Sequence, residues 1–314
     1  TYIIKLTVSG NVAAAYKLNL ARTAGSSFQG AAADSEGNIY FTGSFYRIGT
    51  ESNPKAGIIK IDKNLNVIYA VEWGSTTNSN RPVAVFPFGE DVIAAGETSS
   101  SGGFVLRITG EGHPVWAKEI AGARIRDAHK SDDGDIIVGG VTNSGYNQKA
   151  FIMKIKPDGS HGWDAYNAIV GTPPDYGLDL TSFVQLSDGG YMSSGTWWTG
   201  GSSLDNLWIA RTDSVGRFIN LNHYDSGVDD FCGAVTLTKE GGVLMAGFSG
   251  SNITGMRVPA YDGRGSLIPV SAISSFNTMT NQFTVSNSSQ TISGGIYLTR
   301  TAITLIPEDV VIGE

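Results

Sequence analysis

Phe151-Ile-Met-Lys-Ile-Lys-Pro-Asp-Gly159 and Ser187-Asp-Gly-Gly-Tyr-Met-Ser-Ser-Gly195 decide the fold. The first is an alternating strand with a basic residue at its centre, closed by a Pro-Asp-Gly turn. The second is an Asp-Gly turn that opens an alternating strand ending in glycine. Alternation of apolar and polar residues marks a half-buried strand. Asp and Gly stabilise tight turns by side-chain bonding and positive φ.

Both patterns recur along the chain. The strand-ending glycine returns at Gly43, Gly96, Gly140, Gly195, Gly247 and Gly295, roughly every 50 residues, the period of kelch-type propeller blades. The mid-strand basic position is held by Lys5, Lys60, Arg107, Lys154 and Arg211, with Ala260 in its sixth occurrence. Five residues later stand Gly10, Leu65, Gly112, Gly159, Gly216 and Gly265. Four residues further on, Tyr69, Trp116 and Trp163 supply an aromatic ring, where Ala14, Asn220 and Pro269 do not. A hairpin whose turn has fixed length keeps such a register.

Each unit therefore reads as four strands, A to D. Strand A precedes the Asp-Gly turn, B carries the glycine, C the basic residue, and D follows the second turn. Strands C and D occur first at Tyr2–Leu18. The last A and B fall near Gln282–Val285 and Thr291–Gly295. The chain is thus expected to be all-β, a six-bladed propeller spanning 1–295 and closed by its N- and C-terminal half-blades. Closure would remove open edges. Residues 296–314 remain as a C-terminal tail or extra strand. Arg300 could mark a seventh strand C, so seven blades is the alternative. The basic row reads as architecture: a long side chain lays its stem on apolar surface and reaches a carbonyl or an Asp of a neighbouring strand.

Asp-Gly-Gly at 188–190 and Lys-Ile-Lys-Pro-Asp-Gly at 154–159 resemble the blades of a bacterial and tailed-phage β-propeller repeat family. Its blades carry Asp-Gly-Gly and Lys-Ile-Asp-x-x-Gly-Asn-Val patterns. The resemblance covers nearly the whole chain. It implies a propeller in a virion or an extracellular setting, and it names no reaction.

Composition narrows the classes. Hydrophobic residues make up 41%, enough for a large core, and 41 glycines suit many turns. Net charge is −7, with no basic cluster to grip nucleic acid. No apolar run is long enough for a membrane span. Thr1-Tyr-Ile-Ile-Lys-Leu6 lacks the basic and apolar regions of a signal peptide. The single cysteine, Cys232, sits in an apolar stretch and reads as a buried structural thiol.

The A–B and C–D turns are short and constant, whereas the B–C and D–A connections vary. Ligands tend to bind on variable loops held by a rigid scaffold. The variable ends bring Tyr46, Arg47, Tyr146, Asn147, Tyr176, Trp197, Trp198 and Asp205, which form the expected ligand-binding set. Rings beside amides and carboxylates suit sugars.

Little in the sequence signals catalysis. His113, His129, His161 and His223 show no metal-ligand spacing. Asp132, Asp133 and Asp135 lack calcium-loop spacing and read as a plain turn, leaving Asp229-Asp230 as the better cation candidate. No nucleophile elbow, phosphate loop or dinucleotide fingerprint is present. The expectation is a non-catalytic structural or attachment module, a phage tail or fibre component contacting other subunits of its assembly. It would have no cofactor, no catalytic residue and no metal, and Val310-Val311-Ile312 would dock on a neighbour. The alternatives are an extracellular carbohydrate-binding module and a propeller glycan hydrolase or lyase.

Overall fold

The computed structural model describes residues 2–6, 12–20, 23–47, 53–74, 78–99, 102–142, 148–169, 177–198, 205–224, 227–239, 242–249, 252–258, 271–272, 276–280, 285–287 and 303–307. All regular structure among them is β-strand. Contacts divide the chain into two units. One is Thr1–Ser100, Val105–Ala117 and Ser288–Glu314; the other is Ser101–Phe104 and Lys118–Asn287.

In the first unit, β1 (Tyr2–Leu6) and β2 (Val12–Leu20) form an antiparallel pair. The first full repeat follows as β3 (Thr23–Ala33), β4 (Ile39–Arg47), β5 (Lys55–Ile61) and β6 (Val67–Trp73), paired in that order. The second repeat, whose residues 102–104 and 118–121 belong to the second unit, is β7 (Asn80–Phe88), β8 (Asp91–Thr98), β9 (Gly102–Ile108) and β10 (Pro114–Ala121).

The second unit holds three repeats. The third is β11 (Ala123–Lys130), β12 (Ile136–Thr142), β13 (Ala150–Ile155) and β14 (His161–Ile169). The fourth is β15 (Gly177–Gln185), β16 (Tyr191–Trp198), β17 (Asn206–Thr212) and β18 (Phe218–Tyr224). The fifth is β19 (Asp230–Leu237), β20 (Val243–Ser249) and β21 (Asn252–Val258). The expected A-B-C-D order is thus present in four sheets.

One geometric device explains the recurring glycine. Every first strand carries a β-bulge, at Phe28/Gly30, Pro82/Ala84, Ile125/Asp127, Leu180/Ser182 and Cys232/Ala234. Opposite each bulge lies the second-strand glycine: Gly43, Gly96, Gly140, Gly195 or Gly247. A Cβ there would fall inside the van der Waals shell of a first-strand carbonyl oxygen, that of Ser27, Arg81, Arg124, Asp179 or Phe231. The obstacle is backbone, so it cannot swing away. Bulges bend and twist a strand, and glycine permits the close backbone approach that results.

The second signature is a left-handed turn. Gly112, Gly159 and Gly216 have φ of 89°, 81° and 77°. Leu65, the one departure from glycine, keeps the same conformation at φ 70°. Its side chain is buried in a cluster with Phe45, Ile59, Ile61 and Ala70. That burial offsets the ~1–2 kcal/mol cost of the left-handed region. The aromatic four residues on packs against the turn glycine of the next repeat. A Cβ on Gly112 would lie 3.2 Å from Tyr69 Cδ2, and one on Gly216 would lie 2.9 Å from Trp163 Cζ3. Glycine and aromatic are thus two halves of one contact.

The basic row is architectural, as its repetition implies. Arg107 Nε donates to Asp91 Oδ2 at 2.7 Å. Lys154 pairs with Asp133 and Asp135, and Arg211 with Asp188. Lys60 instead lies over the Tyr40 ring and donates to the Gly110 carbonyl. The acidic turn at 132–135 therefore holds a lysine, as the plain-turn reading requires.

The closing half-blade differs from expectation. Residues 291–295 lie outside the described residues. Val285–Asn287 forms a short strand, β24, against Lys118–Ile120 of β10. The strand added to β2 is instead Ile303–Pro307, β25. Ser271–Ala272 and Phe276–Thr280, as β22 and β23, lie on the outer edges of β18 and β14. The reason is edge chemistry: the outer edges of β2, β10, β14 and β18 present unpaired N–H and C=O groups, and short strands of the extended C-terminal segment satisfy them. Residues 310–312 lie outside the described residues.

Gly195→Ala should cost roughly 3 kcal/mol in chemical denaturation, because it overpacks against backbone. Gly134→Ala, at a turn with open space beyond its Cα, should cost only about 1 kcal/mol for its positive φ.

Candidate functional site

The first strands β11, β15 and β19 are edges of their sheets. Free backbone donors of β15 and β19 need partners, and side chains from the preceding repeat supply them. Asp127 Oδ2 accepts from Phe183 N–H at 3.2 Å and from Ser182 Oγ–H at 2.9 Å. Ser182 Oγ accepts from Val235 N–H at 3.3 Å. Asp127 and Ser182 each stand just beyond a bulge. The bulge turns them toward the next sheet.

His129 belongs to the same network. Its Nε2 lies 3.0 Å from Asp127 Oδ2, and its ring meets Phe183 edge-on with centroids 4.9 Å apart. Burial works against its charged form, yet the hydrogen bond and charge of Asp127 together with a backbone hydrogen bond to Phe183 outweigh this and raise its pKa. Aspartate, serine and histidine do meet here, but in the wrong order for a nucleophilic triad. The carboxylate sits between the other two, and the serine does not touch the imidazole. Asp127 also accepts from Ala128 N–H, so its oxygens are occupied. The network is an inter-sheet brace.

Nearer the variable end, Arg126 and Asp179 face each other across β11 and β15. Arg126 Nε lies 3.6 Å from Asp179 Oδ1, and both side chains remain partly open to solvent. Asp179 stands opposite Thr196, one row from Leu178, Trp197 and Asn206. These three form a cross-strand row over β15, β16 and β17. Leu178 N–H donates to the Gln148 carbonyl, which ties the row to the loop of the preceding repeat. Asn80 and Asp230 make the same tie in their repeats, to Pro54 and Asp205.

The expected ligand-binding residues divide accordingly. Trp197 is half-buried against the core that contains Leu178, Tyr191 and Trp208. Asp205 lies beside Asn206 at the start of β17, and its N–H donates to Asp229 Oδ1 at 3.1 Å. The structure thus brings Trp197 and Asp205 to one end of the fourth sheet. Tyr46 is exposed at the end of β4, in the first unit. Arg47 and Trp198 are placed by backbone only, at the ends of β4 and β16. Tyr146, Asn147 and Tyr176 lie outside the described residues. Sequence reading missed Arg126, Asp179 and Asn206. The signal available was positional: a polar residue on a first strand near its glycine-facing bulge, or one opening a third strand.

Asp229 Oδ1 accepts from the Asp205 N–H. Among the described residues no three His, Cys, Asp or Glu gather as a metal site. No described helix is long and apolar enough to cross a membrane. Cys232 is buried, 2.9 Å from Ser194 Oγ, and burial pushes its thiol pKa up, as befits a structural thiol.

No protein-family model matches this sequence, and no curated protein matches it either. Solved structures do. Puromycin hydrolase is similar with a TM-score of 0.50 at 10% identity, over 86% of this chain and 45% of that one. An exo-β-1,3-galactanase from Clostridium thermocellum matches with a TM-score of 0.45 at 10% identity, over 82% of this chain and 62% of the other. An endo-arabinase from Bacteroides thetaiotaomicron gives 0.41 at 11% identity, over 80% and 100%. The chain spans less than two thirds of the first two proteins. Identity this low concerns fold alone.

These neighbours are propeller-type enzymes. They correct the expectation of a non-catalytic structural or attachment module of a virion, and with it the reading that the chain is no enzyme.

His129 supplies a pH test. Its pKa is raised in the fold, so its stabilisation is complete below the ordinary value of 6.5 and is lost as pH rises through the higher folded value. His129→Gln should flatten that part of the stability–pH curve measured by urea denaturation. Asp133 behaves oppositely: the Lys154 hydrogen bond lowers it to about 2, so its contribution holds above 3.8 and fades as pH falls through about 2.

Proposed function

We propose that this chain is a glycan-acting hydrolase on a six-bladed β-propeller, with its site at the variable end of the third and fourth repeats. The carrying observation is the part-buried Asp179–Arg126 pair at the same sheet end as the row of Leu178, Trp197 and Asn206, which strand alternation turns to the other face. An aromatic wall, an amide, a carboxylate and a guanidinium at one sheet end are the groups that hold and cleave a sugar chain.

Asp179 is the carboxyl group placed for proton transfer. Asp205 is the second carboxylate, two strands away. Two strand spacings separate them by on the order of 10 Å, near the wide end of carboxyl separations that leave room for an attacking water. Arg126 keeps Asp179 oriented and complements charge near it.

The blade count rests on the fifth repeat. β20 reads Val243-Leu-Met-Ala-Gly-Phe248, apolar on both faces. β12 is buried on both faces, but in β20 Leu244 and Phe248 are 43% and 52% exposed. Strands apolar throughout belong between two covered faces. A following blade accounts for that face, and the N-terminal pair β1–β2 supplies half of a sixth. An extracellular setting accords with this reading.

Asp179→Asn and Asp205→Asn should each reduce turnover of galactan or arabinan by about 10²-fold or more, with the fold retained. Wild-type protein that releases no reducing sugar from a broad polysaccharide panel would refute the hydrolase reading. Phe248→Glu should destabilise by roughly 3 kcal/mol if its face is covered, against ~0.5 kcal/mol for an open surface.

A further inference from the structure

Asn206 gives the proposed site a polar atom that the fold leaves unanswered. Asn206 is 8% exposed, and its Oδ1 has no hydrogen-bond partner among the described residues. Buried amide oxygens are nearly always bonded, and an unmet one costs about 1–3 kcal/mol. The neighbouring strand positions do not explain it. Trp208 Nε1, on the same face two residues on, donates to the Thr196 carbonyl. Asp205 is engaged with Asp229 through its backbone.

The position of this oxygen matters. Asn206 opens β17 and stands directly opposite Trp197, which ends the row begun by Leu178. Directly opposed residues share one face, with Cβ atoms ~5 Å apart. Trp197 is half-buried, its inner side packed on the core. Asn206 is thus placed beside Trp197, at the end of the sheet where the loop at Gln148 and Lys149 arrives. Thr142 N–H donates to the Lys149 carbonyl, and Thr142 Oγ1 accepts from the Lys149 N–H at 3.0 Å. Their backbone groups are therefore committed elsewhere.

We propose that Asn206 and Trp197 form a subsite for a neutral, hydroxyl-bearing ring, a single sugar unit of the glycan. This rests on the glycan reading above. Oδ1 accepts a hydroxyl proton from the sugar, and the indole lies against its C–H face. An acceptor-only contact selects a donor, so the subsite favours a free hydroxyl over its O-methylated or O-acetylated form. Sites built to bond a hydroxyl reject analogues that lack it far more strongly than apolar pockets do.

The test is Asn206→Leu, which keeps the volume and removes the unmet oxygen. Galacto- and arabino-oligosaccharides are titrated into the full chain by calorimetry, and stability is followed by urea denaturation. The expected result is opposed signs: binding weakens about tenfold or more while the denaturation midpoint holds or rises. Trp197→Phe should weaken binding less, since a ring remains. Unchanged affinity together with a lower midpoint overturns the subsite, because Asn206 then serves an internal water. Unchanged affinity with an unchanged midpoint overturns it too. If the wild type hydrolyses a glycan and Asn206→Leu binds that glycan normally, only the subsite fails. If the wild type neither binds nor cleaves any glycan, the glycan reading fails with it.

Discussion

The structure depends on the close approach of a bulged first-strand carbonyl to a glycine of the second strand. Five sheets repeat it, and in all five the obstructing atom is backbone oxygen. The bulge adds one residue to the first strand and increases its twist. It also re-aims the residue that follows, so Asp127 and Ser182 point to the neighbouring edge rather than along their own sheet. Without the glycine the bulge could not form, and without the bulge the first-strand donors of Phe183 and Val235 would lose their acceptors.

That constraint links sheet geometry to chemistry. First strands are edges, and edge donors in a packed interior must be satisfied. The protein uses carboxylate and hydroxyl side chains for this, which explains how an aspartate, a serine and a histidine assemble without forming a nucleophilic relay. Asp179 differs. It stands before its bulge, keeps partial solvent access, and faces a guanidinium at 3.6 Å. Two first strands thus use their acidic residue differently: Asp127 of β11 braces the next sheet edge, and Asp179 of β15 faces Arg126.

The plain end of the sheets is held by a different pairing. Arg107, Lys154 and Arg211 reach turn aspartates, while the left-handed Gly112 and Gly216 receive Tyr69 and Trp163 of the preceding repeat. Leu65 tests the logic. It departs from glycine yet keeps the positive φ, because its buried side chain offsets the backbone cost. A regular, tightly bonded end leaves variation to the opposite end, where Trp197, Asn206 and Asp205 meet.

The sequence by itself determined the class, the four-strand order, the second-strand glycine and the five-residue step from basic residue to turn. These are local: period-two alternation, turn length and the steric demand for glycine are written in consecutive residues. It also marked Trp197 and Asp205, because variable loops are visible as changes in spacing. Only the tertiary structure decided that Arg126 meets Asp179, residues 53 apart in the chain, and that Asn206 lies opposite Trp197 with an unmet oxygen. Such pairings depend on which sheet edges meet and on bulge register. Strand periodicity is blind to both, since a bulge changes where a side chain points without changing the residue that carries it. The C-terminal strands follow the same rule. Their pairing with outer edges was set by which donors and acceptors remained open once the sheets had formed.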